Sequence, residues 1–288
     1  MKDNIIFAGC SFTWGQGLWS YMKSDAHVPS YEEWIFEDFE LPPGSMEFKD
    51  KHRFANMVSD WLNKTPITKV ENGGTDLESV NFINYLFDTN SIDNPVFPRG
   101  KYKFEDVSDI VFQTTQIARS TFSFTHNNTE FRLRSLPSRK NFDEIERIHY
   151  DSNNHMSITI EPNLRSLYEW MYDNDYEIED VLSMMSTDIT NKIENTLKYY
   201  ESNGIKTHIF CWTNEYLPEF DSRPFLSERL VKLDYRDRKF YCLDELFEYN
   251  PELQMSNDSS VLHYTGNDDH PSLECHGIIA NSLLKVLK

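Results

Sequence analysis

Short apolar runs that end in glycine or a turn alternate along this chain with segments of helical periodicity, and that alternation limits the fold more than any other feature. Ile5-Ile6-Phe7-Ala8, stopped by Gly9, has the continuous apolar character of a strand buried on both faces. Phe54, Met57, Val58, Trp61 and Leu62 recur at helical spacing, which predicts an amphipathic helix over about 52–63. A second strand is expected from Ile67 to Val70, closed by Asn72-Gly73-Gly74. Thr75 or Asp76 can cap a following helix through Val80, Ile83, Asn84 and Phe87. A third strand is expected at Asp109–Gln113. Ile189, Ile193, Leu197 and Tyr200 then mark a helix that stops at Asn203-Gly204 and feeds a fourth strand, Thr207–Trp212. Lys239–Leu243 is the fifth strand candidate, and Ile278, Ile279, Leu283, Leu284 and Leu287 form the apolar face of a terminal helix. Strands alternating with helices predict an α/β fold whose parallel sheet is covered on both faces.

Two regions break the rhythm. Residues 20–51 are acidic and aromatic, with Pro42-Pro43-Gly44 inside, and are expected to form an excursion over the first strand-to-helix connection. Residues 120–162 alternate polar and apolar side chains, as in Phe122-Ser123-Phe124, Phe131-Arg132-Leu133 and Ile158-Thr159-Ile160, which predicts exposed antiparallel hairpins. A further helical piece is expected over about 163–185. At 288 residues the chain is read as a single domain over 1–288, with insertions at about 20–51 and 120–185.

Composition narrows the partners. With 28 basic against 47 acidic residues the net charge is −19, which opposes both nucleic-acid phosphates and anionic lipid surfaces. Neither nucleic acid nor membrane is an expected partner. Cys10, Cys211, Cys242 and Cys275 lack C-x-x-C spacing and are expected to be free thiols rather than metal ligands or a disulfide framework. The N-terminal apolar run is far shorter than the roughly 7–15 residues of a signal sequence, and no run approaches the ~18 of a membrane span. The expected location is cytoplasmic, and the composition suits a bacterial or phage product.

Chemistry enters at Gly9-Cys10-Ser11-Phe12-Thr13-Trp14-Gly15-Gln16-Gly17. A strand that ends in glycine and places serine two residues later presents a hydroxyl at the carboxyl edge of a parallel sheet, where such sheets bind ligands. Taken alone, the same residues could be a tight turn whose serine caps a helix. Gly15 and Gly17 do not complete G-x-G-x-x-G, so no nucleotide cofactor is expected. Cys10, next to the serine, should point the other way and pack. The second signal is Asn267-Asp268-Asp269-His270-Pro271-Ser272 with His276, just before the terminal helix. A serine needs a base to take its proton, and an imidazole needs a carboxylate to hold its tautomer.

Together these blocks resemble the SGNH hydrolases, the GDSL esterase/lipase superfamily. Gly9-Cys10-Ser11 resembles the family's G-D-S, with Cys10 in place of its Asp. Asn72-Gly73-Gly74 resembles the second block, and His270-Pro271-Ser272 the last. The resemblance implies a three-layer α/β/α, flavodoxin-like fold with a central parallel sheet, here of five strands, and a serine acyl hydrolase needing neither cofactor nor metal. It implies Ser11 as nucleophile, His270 as general base and then acid, and Asp268 as the orienting carboxylate. In the family that carboxylate stands three residues before the histidine, where this chain has Asn267; Asp269 stays open beside Asp268. The backbone N–H groups of Ser11 and Gly74 would form the oxyanion hole. The family's third block is G-x-N-D, but this chain has Gln113-Thr114-Thr115-Gln116; Thr115 stands near the Asn position, and Gln113 or Gln116 could supply an amide donor instead.

The substrate class follows more loosely. Acidic, Trp- and Tyr-rich insertions suit sugar stacking better than lipid uptake, so the expected reaction is hydrolysis of a small-molecule or glycan ester, with glycan deacetylation first. The departures from the family pattern leave two alternatives, a non-catalytic binding or phage structural or assembly protein on the same scaffold, and an O-acyltransferase.

Overall fold

The computed structural model describes residues 3–10, 13, 15–22, 40–68, 75–87, 101–119, 122–133, 162–260 and 270–288. Its centre is a parallel sheet of β1 (Asn4–Ala8), β2 (Thr65–Thr68), β3 (Val107–Thr114) and β6 (Lys206–Cys211), in the order β2-β1-β3-β6. Pro66 lies in β2, an edge strand of this order, where a missing N–H removes least from the ladder.

Strand side chains alternate between two helical layers, because successive residues point to opposite faces. Ile5, Phe7, Val111 and Phe210 join a core with Phe54 and Val58 of α2 (Phe54–Leu62) and Ile279 and Leu283 of α9 (Leu273–Leu287). Ile6, Ala8, Ile110, Phe112 and Ile209 join a second core with Val80 and Ile83 of α3 (Asp76–Phe87) and Ile189, Ile193 and Leu197 of α5 (Ile178–Ser202). The result is a mixed α/β fold with a parallel sheet between two layers of helix.

Helix ends follow the sequence signals. Asn63 closes α2 in the left-handed region at φ 52°, and Gly204, at φ 80°, follows α5. Thr75 caps α3: its hydroxyl accepts from the Glu78 N–H at 3.2 Å while Glu78 returns a bond to the Thr75 N–H at 2.8 Å. Ser272 caps α9 by accepting from Cys275 N–H at 3.3 Å. The excursion expected at 20–51 contributes α1 (Ser45–His52), with 23–39 outside the described residues.

Two expectations need correction. The stretch 239–243 does not extend the main sheet, which has four strands among the described residues. Arg236 and Asp237 both take positive φ and turn the chain back, so that β7 (Leu233–Tyr235) and β8 (Arg238–Phe240) pair antiparallel. Beyond β6 the sheet continues only as two isolated parallel bridges among the described residues, Ile209 to Leu230 and Cys211 to Cys242, before α8 (Leu243–Tyr249) begins. The hairpin expected after β3 exists, as β4 (Phe122–His126) paired with β5 (Thr129–Leu133) through a turn at Asn127-Asn128, but only one of its faces is exposed. Phe122 and Phe124 are buried, their rings 5.7 and 5.4 Å from that of Trp170 on α4 (Pro162–Asp173). The apolar half of the alternation therefore packs against a helix. The segment 134–161 lies outside the described residues.

Candidate active site

Of the residues singled out from sequence that the structure describes, Gly9 and Cys10 follow β1 and Gln113–Thr115 end β3 at the carboxyl edge of the sheet, while His270 and His276 lie before and within α9. Gly9 packs against β3. A Cβ built on Gly9 would overlap the Thr13 hydroxyl and lie 2.8 Å from both Cβ and Oε1 of Gln113, so only glycine allows this approach. Gln113 is fully buried; its Oε1 accepts from the Thr13 hydroxyl and its Nε2 donates to Cys10 Sγ at 3.3 Å. Cys10 itself packs in the core, as its place on the strand end implies, and all four cysteines are buried free thiols. Replacing Gly9 by Ala is expected to cost about 1–3 kcal/mol, the range for forcing a methyl into a packed interior, read as a lowered midpoint in urea.

The loop after β1 bends through Gly15, whose φ of 78° is a conformation side chains rarely adopt. It rests on α1 and α2, with the Gly15 position against Arg53 and Lys49. Burial holds the Lys49 ammonium down at about 8, against the pull of Asp50.

His270 is held by its backbone. Its carbonyl accepts from Met255 N–H at 2.9 Å, and Ser272 N–H donates to Leu253 O at 2.7 Å, an antiparallel bridge centred on Gln254 and Pro271. The residue is largely buried. Tyr21, ten residues after Ser11 in sequence, reaches the same loop. Its hydroxyl donates to Asp258 Oδ2 at 2.8 Å and interacts with Ser272 and the Leu273 backbone. Burial, with the Asp258 carboxylate beside it, pushes the Tyr21 phenol well above its usual range.

His276 lies one turn into α9 and is fully buried. Its ring stacks on Phe54 at 5.7 Å, and Nδ1 accepts from Phe54 N–H at 3.2 Å. Burial first, then the neighbouring His270 and Arg53, hold this imidazole down at about 3. It is neutral packing at the head of the helix.

Thr115 is also fully buried. Its N–H donates to Asp76 Oδ1 at 2.9 Å, and its hydroxyl makes longer contacts to Asp76 Oδ2 at 3.5 Å and Gln116 O at 3.4 Å. Tyr216 donates to Asp76 Oδ2 at 2.6 Å from beyond β6. Ser79, on the same helix as Asp76, donates to Gly9 O at 3.4 Å. The start of α3 is thus bonded to the ends of both β1 and β3. Sequence reasoning saw Asp76 only as an alternative cap and gave Tyr216 no role. A surface-type acid directly after a capping Thr carries no local sign that it faces inward. Above the end of β6, the Arg119 guanidinium stacks on Trp212 at 4.4 Å.

Ser11, Asn72, Gly73, Gly74, Asn267, Asp268 and Asp269 lie outside the described residues. Among those described, no group of three or more His, Cys, Asp or Glu side chains is arranged to hold a metal ion, and no helix is long and apolar enough to cross a membrane.

The fold and this edge define a mixed α/β protein whose polar side chains collect at the carboxyl ends of parallel strands. No protein-family model matches the chain, and no curated protein does either. A solved carbohydrate esterase, whose active site is described as displaying divergent catalytic and non-catalytic binding functions, is similar with a TM-score of 0.42 and 13% identity over 99% of this chain and 68% of that one. That likeness is too loose to bear on chemistry.

Proposed function

We propose that the chain is a serine acyl hydrolase of the SGNH type acting on a glycan or small-molecule ester. The observation that supports this reading is that the β1 end leading into Ser11 is bonded to the β3 end at Gln113, while Tyr21, in the segment that follows β1, bonds Asp258 and interacts with Ser272, two residues after His270. In the reaction, Ser11 Oγ attacks the ester carbonyl while His270 takes its proton, and Asp268 holds the imidazole. The N–H groups of Ser11 and Gly74, with a side chain from Gln113 to Gln116, receive the developing oxyanion. His270 then protonates the departing alcohol, and water, deprotonated by the same imidazole, releases the acid and frees Ser11.

A non-catalytic binding role on the same scaffold has one observation in its favour. Gln113 is bonded to Cys10 and Thr13, and Thr115 faces Asp76, so both side chains already have internal partners. A fluorophosphonate probe separates the two readings. Labelling confined to Ser11, absent from Ser11→Ala and slowed in His270→Ala, is the expected result. An unlabelled wild-type protein would leave only the binding role.

A further inference from the structure

A carboxylate at a helix start ordinarily caps that helix in solvent, but α3 is already capped by Thr75 and Glu78. Asp76 is instead wholly buried and spends its oxygens on other elements, Oδ1 on Thr115 N–H at the end of β3 and Oδ2 on the Tyr216 hydroxyl. Burying a carboxylate is unfavourable unless such donors satisfy it, so the arrangement is costly for a helix that needs no second cap. What it achieves is a fixed relation between two segments. Asp76 is two residues beyond Gly74, and Thr115 belongs to the segment expected to supply the third oxyanion donor. The Ser79 bond to Gly9 ties the end of β1 to the same helix.

We propose that Asp76, braced by Tyr216, is a positioning residue for acyl transfer: through the Thr115 N–H it fixes the end of β3, the segment expected to supply the third oxyanion donor, against the start of α3. This inference rests on the acyl-hydrolase reading. Asp76 touches no substrate; it acts through the Thr115 backbone. Loss of an oxyanion donor lowers turnover about 10²–10³-fold, and a displaced donor falls below that limit.

The test compares Asp76→Ala, Asp76→Asn, Tyr216→Phe and wild type on p-nitrophenyl acetate, with circular dichroism to establish the folded fraction. Asp76→Ala is expected to lower kcat roughly 10–100-fold with KM within about twofold, and to slow fluorophosphonate labelling of Ser11 in the same proportion, since the phosphonyl oxygen uses the same donors. Asp76→Asn keeps an acceptor for Thr115 N–H and should recover most of kcat. Tyr216→Phe should lose about 3–10-fold and carries the test if Asp76→Ala does not fold. Folded variants with wild-type kcat, or losses that appear only in KM or only in the folded fraction, would overturn the proposal. A wild-type protein that neither turns over nor labels sinks the acyl-hydrolase reading along with it, whereas an active wild type indifferent to Asp76 and Tyr216 sinks this inference alone.

Discussion

Hydrolysis of p-nitrophenyl acetate is expected to fall by roughly 10⁴-fold in Ser11→Ala and by a similar factor in His270→Ala, with the double variant no worse than either alone. The non-additivity is the stronger half of this expectation. Nucleophile and base work as one unit: a serine without its base is a weak nucleophile, and a base without the serine has no proton to take. The His270 carbonyl accepts from Met255 N–H, a backbone bond that does not depend on the side chain. Unchanged urea midpoints would show that the scaffold is intact. Equal rates in all four proteins would remove these two residues from any reaction.

Acid should unfold this protein in a way traceable to His276. Its imidazole titrates at about 3 in the native state because burial first, then His270 and Arg53, disfavour its charged form, whereas in the unfolded chain it returns to about 6.5. Above that upper value both states are neutral at this position and it contributes no pH dependence. As pH falls from about 6.5 towards 3, the unfolded state binds a proton that the folded state refuses, so stability is lost on going down. The limiting slope is about 1.4 kcal/mol per pH unit. Urea unfolding at pH 7.5, 5.5 and 4 measures it, and the difference between wild type and His276→Gln isolates it from carboxylates that titrate in the same window. Glutamine can still accept from Phe54 N–H. If the two proteins lose stability in parallel, His276 is not the group responsible.

Much of the fold was legible because local pattern and tertiary role agree. β1, α2, β3, β6 and α9 follow from apolar period and end signals, and each was read within a few residues of its observed limits. The failures occur where a local pattern has two physical solutions. Lys239–Leu243 reads as a strand, yet the turn at Arg236-Asp237 diverts it into a hairpin. The alternation at Phe122–Phe124 fixes a two-faced strand but cannot say what covers the apolar face, which proves to be Trp170. At the candidate site, His270 and the Gln113–Gln116 segment can be singled out from residue type and chain position alone. Asp76 as an internal brace cannot, because its partner Tyr216 is 140 residues away and only the sheet brings them together.

The sheet also divides the interior into two compartments that share strands but few side chains, one fed by Ile5 and Phe7, the other by Ile6 and Ala8. Repacking one compartment should leave the opposite one close to its native volume. Evolution or a designer could therefore revise either helical layer in turn while the strand ends keep their spacing.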